Sequence, residues 1–105
     1  MKKFMKFAMI LKITMMGFPV EVVYFMCDVY KAHMFSKHNK SALLDDTLCG
    51  CFFCLSIFSP LIIIEWEDGG TTAVCPFCNT DAIIGADSGF PISTEFLQLM
   101  RNYWF

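Results

Sequence analysis

The sequence predicts a small α+β fold, a β-hairpin core with helices ahead of it and one helix behind it. Three observations carry that prediction. Near the middle, a Pro60-to-Val74 stretch of β-branched and aromatic residues is broken by Asp68-Gly69-Gly70, a hairpin turn signal. The C-terminal run from Ile92 to Phe105 has apolar residues at three- and four-residue steps behind a capping serine. Two C-x2-C pairs, Cys51/Cys54 and Cys75/Cys78, flank the hairpin with twenty residues between them.

At 105 residues the chain has room for one full-sized hydrophobic core. The expected division is an N-terminal helical extension over 1–41 and a hairpin domain with its C-terminal helix over 42–105. Within the extension, Phe4, Phe7, Ile10 and Leu11 suit a helix closed by Gly17 and Pro19. Val22, Val23, Met26, Val29, Tyr30 and Met34 mark one face of a second helix. A short third one, capped by Ser36, is expected to turn Ala42, Leu43 and Leu44 inward. In the hairpin, Ile62, Ile64 and Trp66 are expected on one face of the first strand, and Thr71 to Val74 form the returning strand. Ala82 to Ile84 is a further short strand. The last helix is capped by Ser93, with Ile92 placed to staple onto Leu97 and Phe96, Leu97, Met100, Tyr103 and Trp104 as its buried stripe.

Charge is unevenly distributed. Residues 1–41 hold seven lysines against Glu21 and Asp28, a balance of +5, while 42–105 hold Arg101 against eight acids, a balance of -7. Nucleic-acid binding needs lysine and arginine facing phosphates, and four thiolates around a divalent ion add further negative charge. The cysteine-bearing half is therefore expected to bind no nucleic acid. The N-terminal apolar stretch resembles an export signal only superficially: Lys6 and Lys12 interrupt it and no small-x-small cleavage site follows. Its longest uncharged run within the first 27 residues, Ile13 to Val20, has eight residues, whereas a spanning helix needs about 20. No integral membrane insertion is expected.

The cysteines carry the chemistry. Six in a short chain could form disulfides, but paired C-x2-C turns are the spacing of a metal site. Each tight turn brings two sulfurs to one ion and aims backbone N-H groups at them. The expected ligands are Cys51, Cys54, Cys75 and Cys78, holding one Zn2+ per chain in a reducing, cytoplasmic setting. Cys49 stands one residue from Cys51, too close for the usual turn, and reads as a spare thiol. Cys27 reads as a small core hydrophobe on a helix. His33 and His38, five apart, do not share a helical face and are expected to sit at a helix end and in a linker. Glu65, Glu67, Asp68, Asp81, Asp87 and Ser88 are the polar loop residues around which an enzyme site would have to form, and no nucleophile partner is placed beside them. The early cluster of methionines suits an interaction surface, an adaptable core or an extension, while 56% hydrophobic content and 16% aromatics favour a non-enzymatic interaction module, with a protein partner or self-association, and with the N-terminal part or the loop from Gly85 to Pro91 as its surface.

The pattern CFFC, a strand ending in Trp66, a D-G turn, TAVCPFC and the tail SGFPI...FLQLM...WF resembles a family of small, mostly uncharacterised bacterial cytoplasmic proteins with a zinc-ribbon-like core. The resemblance runs from about Tyr30 to the C-terminus, including AHMFSKHNK, and implies the ribbon fold and the metal but no catalytic residue. The spacing is also similar to that of rubredoxin, which implies iron and electron transfer as the alternative. Rubredoxin-like loops carry glycine after the second cysteine of each pair; here those positions are Leu55 and Asn79.

Overall fold

The computed structural model describes the backbone of residues 8–15 and 18–105 and the side chains from Asp28 onward. Among the described residues the architecture is mixed α+β, with small antiparallel sheets and three α-helices.

The described chain opens on a hairpin of β1 (Ala8–Met15) and β2 (Phe18–Phe25), which replaces the helix expected ahead of Pro19. Phe4 and Phe7, part of that expectation, lie outside the described residues. The register sets Ile10 opposite Val23, Ile13 opposite Val20 and Lys12 opposite Glu21. β-branched residues lose less side-chain freedom in strands than in helices, and opposite charges in direct register favour the pairing. Two such strands outweigh the helical spacing of a few apolar residues. Helix α1 (Met26–Met34) begins where β2 ends, four residues after the expected start at Val22.

Helix α2 (Lys40–Leu44) follows, but Ser36 does not cap it. The Ser36 hydroxyl instead donates to the His33 carbonyl at 2.6 Å, closing the end of α1. Asn39 takes the N-cap position, and its side chain serves a wider purpose. Nδ2 donates to the carbonyls of Phe35 (3.0 Å) and Ile83 (2.9 Å), while Oδ1 accepts from the Ala73 amide (3.0 Å). Of the α2 residues expected inward, Leu43 is buried and Leu44 is exposed.

The cysteine region contains a three-stranded sheet in the order β4-β3-β7, formed by β3 (Cys49–Cys51), β4 (Ile57–Phe58) and β7 (Ile83–Gly85). The strand expected at 82–84 therefore exists, shifted by one residue, and pairs with the first cysteine segment. The central hairpin is short: β5 (Trp66–Glu67) pairs with β6 (Thr72–Ala73) around the Asp68-Gly69-Gly70 turn. Asp68, Gly69 and Gly70 all have positive φ, which the two glycines adopt without a Cβ penalty.

Residues 60–64 depart from the expected strand. Pro60 opens a 3-10 turn over Pro60–Ile62, with the Ser59 hydroxyl accepting from the Leu61 amide. Proline lacks the N-H that a ladder needs and fits the first position of such a turn. Ile62 and Ile64 still share a side without a ladder: both face outward while Ile63 is buried.

Helix α3 (Thr94–Trp104) lies across β3. The Ser93 hydroxyl accepts from the Phe96 amide at 3.2 Å, as expected of a cap. A Cβ at Gly50 would meet Leu97 Cδ1 at 2.8 Å and Ile92 Cγ2 at 3.2 Å, so glycine is what lets the stapled helix start rest on the strand. Phe96, Leu97, Met100 and Tyr103 are buried, and half-buried Trp104 donates its indole N-H to the Val29 carbonyl at 3.2 Å. Val29 and Ala32 of α1, on the N-terminal side of the expected 41/42 boundary, enter the same core as Phe52, Ile83 and Phe96.

Asn39→Ala strands the buried Ala73 amide and Ile83 carbonyl together. Each buried unsatisfied group costs about 1–3 kcal/mol. The expected loss is about 3 kcal/mol, read from the urea denaturation midpoint of the metal-loaded protein, while Ser41→Ala on the exposed side of α2 leaves the midpoint unchanged.

Candidate metal centre

Each cysteine pair sits in a tight turn, and the two turns repeat at an interval of 24 residues. In the first, the Cys51 amide donates to the Ser56 carbonyl (2.9 Å) and the Leu55 amide to the Cys51 carbonyl (2.8 Å). In the second, the Cys75 amide donates to the Thr80 carbonyl (2.9 Å) and the Asn79 amide to the Cys75 carbonyl (2.9 Å). Leu55 (φ 67°) and Asn79 (φ 61°) both adopt the left-handed conformation. These are the positions where rubredoxin-like loops carry glycine, so the sequence departs from that pattern while the backbone does not. The conformation costs a non-glycine residue roughly 1–2 kcal/mol, less for asparagine.

The turns bring Cys51, Cys54, Cys75 and Cys78 together with all four Sγ atoms within 4.8 Å of one another. Cys51 Sγ lies 3.6 Å from Cys78 Sγ, and Cys54 Sγ lies 3.7 Å from Cys75 Sγ. A tetrahedral ion with metal–sulfur bonds of about 2.3 Å separates its sulfurs by about 3.8 Å. The donor set therefore fits one tetrahedral thiolate-bound ion. Backbone amides approach the first sulfur of each pair: those of Phe53 (3.4 Å) and Cys54 (3.5 Å) point at Cys51, and that of Phe77 (3.4 Å) at Cys75. Cys51 and Cys75 are buried; Cys54 and Cys78 are half-buried.

Electrostatics of the protein atoms alone set these thiols apart. Burial pushes the Cys51 thiol well up, against the Cys54 and Phe53 amides that favour its thiolate. Burial likewise pushes Cys75 up to about 11. At Cys54 burial also acts upward, but the Ser56 hydroxyl and amide and the neighbouring cysteines outweigh it and lower this thiol to about 7. A cation is what allows all four to be thiolates at once.

Cys49 is buried apart from the cluster, its Sγ 3.4 Å from the Phe58 carbonyl. Burial, with Asp46 and Cys75 adding to it, raises this thiol to about 12. The side chain of Cys27 lies outside those described. The histidines are separate. The His33 ring centroid is 4.0 Å from that of Trp104, and burial with the Lys37 charge lowers its pKa although Asp81 opposes the shift. His38 Nδ1 is 2.8 Å from the Thr71 hydroxyl.

Two of the loop acids, Asp81 and Asp68, and the Ser88 hydroxyl make structural contacts. Asp81 pairs with Lys37, Asp68 accepts the Thr72 hydroxyl at 2.8 Å, and the Ser88 hydroxyl accepts the Phe90 amide at 3.2 Å. Burial opposes it, but the hydrogen bond from Lys37 is the largest influence and holds the Asp81 carboxyl below its ordinary value. Sequence reasoning missed Asn39 and Thr72, two buried polar residues that tie the α1–α2 link to the hairpin; the His38 amide donates to Thr72 Oγ1 at 2.9 Å. A polar Asn between two lysine-flanked helices gives no local signal of such use.

Cys75→Ser is expected to abolish metal retention and unfold the ribbon, whereas Cys49→Ser retains one metal per chain; elemental analysis and circular dichroism of both variants decide. Asn79→Gly is expected to shift stability by less than about 1 kcal/mol, and Asn79→Val to lower it by about 2 kcal/mol because a β-branched side chain resists positive φ, as read from denaturation midpoints.

No family model matches the chain, and no curated protein or solved structure matches it, so the sulfur geometry carries the functional reading by itself.

Proposed function

We propose that the chain is a small zinc-ribbon-like protein in which Cys51, Cys54, Cys75 and Cys78 hold one structural Zn2+, and whose outer surface serves protein interaction, not catalysis. The observation that carries this reading is the convergence of four sulfurs with two cross-turn separations of 3.6 and 3.7 Å. Structural zinc takes four thiolates without redox chemistry and contributes about 10–16 kcal/mol of apparent binding energy. A domain of this size has about 5–15 kcal/mol of net stability. The metal is thus comparable to the whole margin. We place the chain in a reducing, cytoplasmic setting, where its thiols stay available to a metal. Among the described residues no helix is long and apolar enough to cross a membrane.

The interaction surface we favour includes the outward aliphatic residues of the 60–64 segment, where Leu61 and Ile64 are 85% and 87% exposed. Partner-free proteins have scattered exposed apolar residues, but here Ile62 and the nearby Leu44 of α2 are exposed as well. A protein partner or a second copy would cover them.

A specific observation supports a second reading. The left-handed Leu55 and Asn79 and the N-H···S contacts on Cys51 and Cys75 reproduce the turn geometry that an iron electron carrier needs. Elemental analysis together with a visible spectrum separates the two: zinc near one per chain without colour is expected, and iron with a red chromophore would replace the structural reading with electron transfer.

Acid should release the metal. Bound thiolates have pKa values depressed below those of the unfolded chain, so their stabilisation is present at neutral pH and lost as pH falls. Since burial favours the protonated forms of Cys51 and Cys75 once the ion leaves, release should involve several protons and be steep. Zinc release followed with a colorimetric chelator should sharpen below neutrality; a release curve flat from pH 8 to pH 4 would contradict thiolate ligation. The full chain should also show no salt-sensitive nucleic-acid binding through its acidic half, measured by fluorescence anisotropy with Arg101→Glu, the one Lys or Arg of residues 42–105, leaving the signal unchanged.

A further inference from the structure

The four sulfurs differ in how their charge is neutralised. Cys51 is buried and faces the amides of Phe53 and Cys54 at 3.4 and 3.5 Å. Cys75 is buried and faces the Phe77 amide at 3.4 Å. Cys54 is half-buried, but its Sγ lies 3.2 Å from the Ser56 hydroxyl, which donates to it once the sulfur is a thiolate. The 24-residue repeat puts Thr80 where Ser56 stands, and there the symmetry breaks: the Thr80 hydroxyl donates to the Cys78 carbonyl at 3.5 Å instead of approaching sulfur. Cys78 is half-buried, and its sulfur lies 3.6 Å from Cys51 Sγ and within 4.8 Å of the other two ligand sulfurs.

Hydrogen bonds to a thiolate withdraw its charge and lower its nucleophilicity, and access decides which sulfur a reagent meets first. We propose that Cys78 is the modification site of the metal centre, the thiolate that soft electrophiles and peroxides reach first, with Cys51 as its resolving partner. This rests on the metal-centre reading and adds to it an order of reactivity among the four ligands. With a peroxide the Cys78 thiolate attacks one peroxide oxygen; the O–O bond breaks, giving a sulfenic acid and hydroxide. The Cys51 thiolate then attacks the Cys78 sulfur, forming the S–S bond and expelling a second hydroxide. Two thiolates lose two electrons and hydrogen peroxide gains them, so the step is balanced. The centre is left with Cys54 and Cys75, too few thiolates to retain its ion.

The test uses the full zinc-loaded chain. Limiting iodoacetamide followed by peptide mass mapping is expected to label Cys78 several-fold ahead of Cys54, with Cys51, Cys75 and Cys49 last. Equimolar hydrogen peroxide is expected to give a Cys51–Cys78 disulfide and one zinc released to a colorimetric chelator per disulfide formed. Ser56→Ala, which removes the hydroxyl beside Cys54 Sγ and leaves all four ligands in place, should raise Cys54 labelling towards that of Cys78. First labelling at Cys54, a disulfide containing Cys49, or unchanged Cys54 labelling in Ser56→Ala would overturn the proposal while leaving the zinc centre standing. A chain that takes up no zinc on titration would overturn the metal-centre reading itself and this proposal with it.

Discussion

Four sulfurs within 4.8 Å of one another constrain everything around them. Ionised together they repel; protonated and buried they leave polarisable but weakly bonded groups in a small core. An ion at their centre removes both difficulties, and the surrounding backbone is arranged for it. The amides of Phe53, Cys54 and Phe77 point at sulfur, and Leu55 and Asn79 take left-handed conformations that let each turn close. The strain is roughly 1–2 kcal/mol at Leu55 and less at Asn79, small beside the roughly 10 kcal/mol or more that a structural ion contributes when bound. Asn79 is exposed, so its conformation gains nothing from side-chain packing, whereas half-buried Leu55 packs against the core.

The sheet and helices carry this convergence outward. Cys51 ends β3, which is held between β4 and β7, and Gly50 in the same strand admits α3 to close contact. The first turn is then clasped from outside: the Phe53 ring packs edge-on to Phe105 at 4.8 Å, with the Arg101 guanidinium 5.3 Å above it. The second turn is held by the α1–α2 link, through Lys37 on Asp81, Asn39 on Ala73 and Ile83, and the Lys40 amide donating to the Thr71 carbonyl at 3.0 Å. One half of the site thus depends on the C-terminal helix and the other on residues ahead of the first cysteine. Related turns are supported by unrelated scaffolding, and the hydrogen bonds at their second cysteines differ accordingly.

Much of this was legible in the sequence where the signal was local. The spacing of the cysteines, the Asp68-Gly69-Gly70 turn and the Ser93 cap each depend on residues within a few positions, and each is found where expected. Failures came where a choice depended on distant partners. Residues 8–15 have helical spacing, but a strand becomes preferable once Phe18–Phe25 is available to pair with it. The alternation of Ile62, Ile64 and Trp66 read as a strand face, yet Pro60 and Ser59 set a 3-10 turn first and the ladder begins at Trp66. Asn39 satisfies groups 34 and 44 positions away, a role that no window of neighbouring residues encodes.

The same distinction separates what the metal fixes from what it leaves open. An ion of tetrahedral preference selects four sulfurs and a turn geometry but is indifferent to the face that lies beyond the turns. There the chain exposes Phe77 at the second turn and Leu61 and Ile64 on the connecting segment, alongside exposed Glu65 and Glu67. Burying such aliphatic side chains is worth roughly 1.5–3 kcal/mol each, and a domain stapled by metal has no need of that gain for its own folding. Under the proposed interaction role, the apolar residues on that surface are the ones a partner would cover, and the exposed acids beside them would disfavour one that carries phosphates.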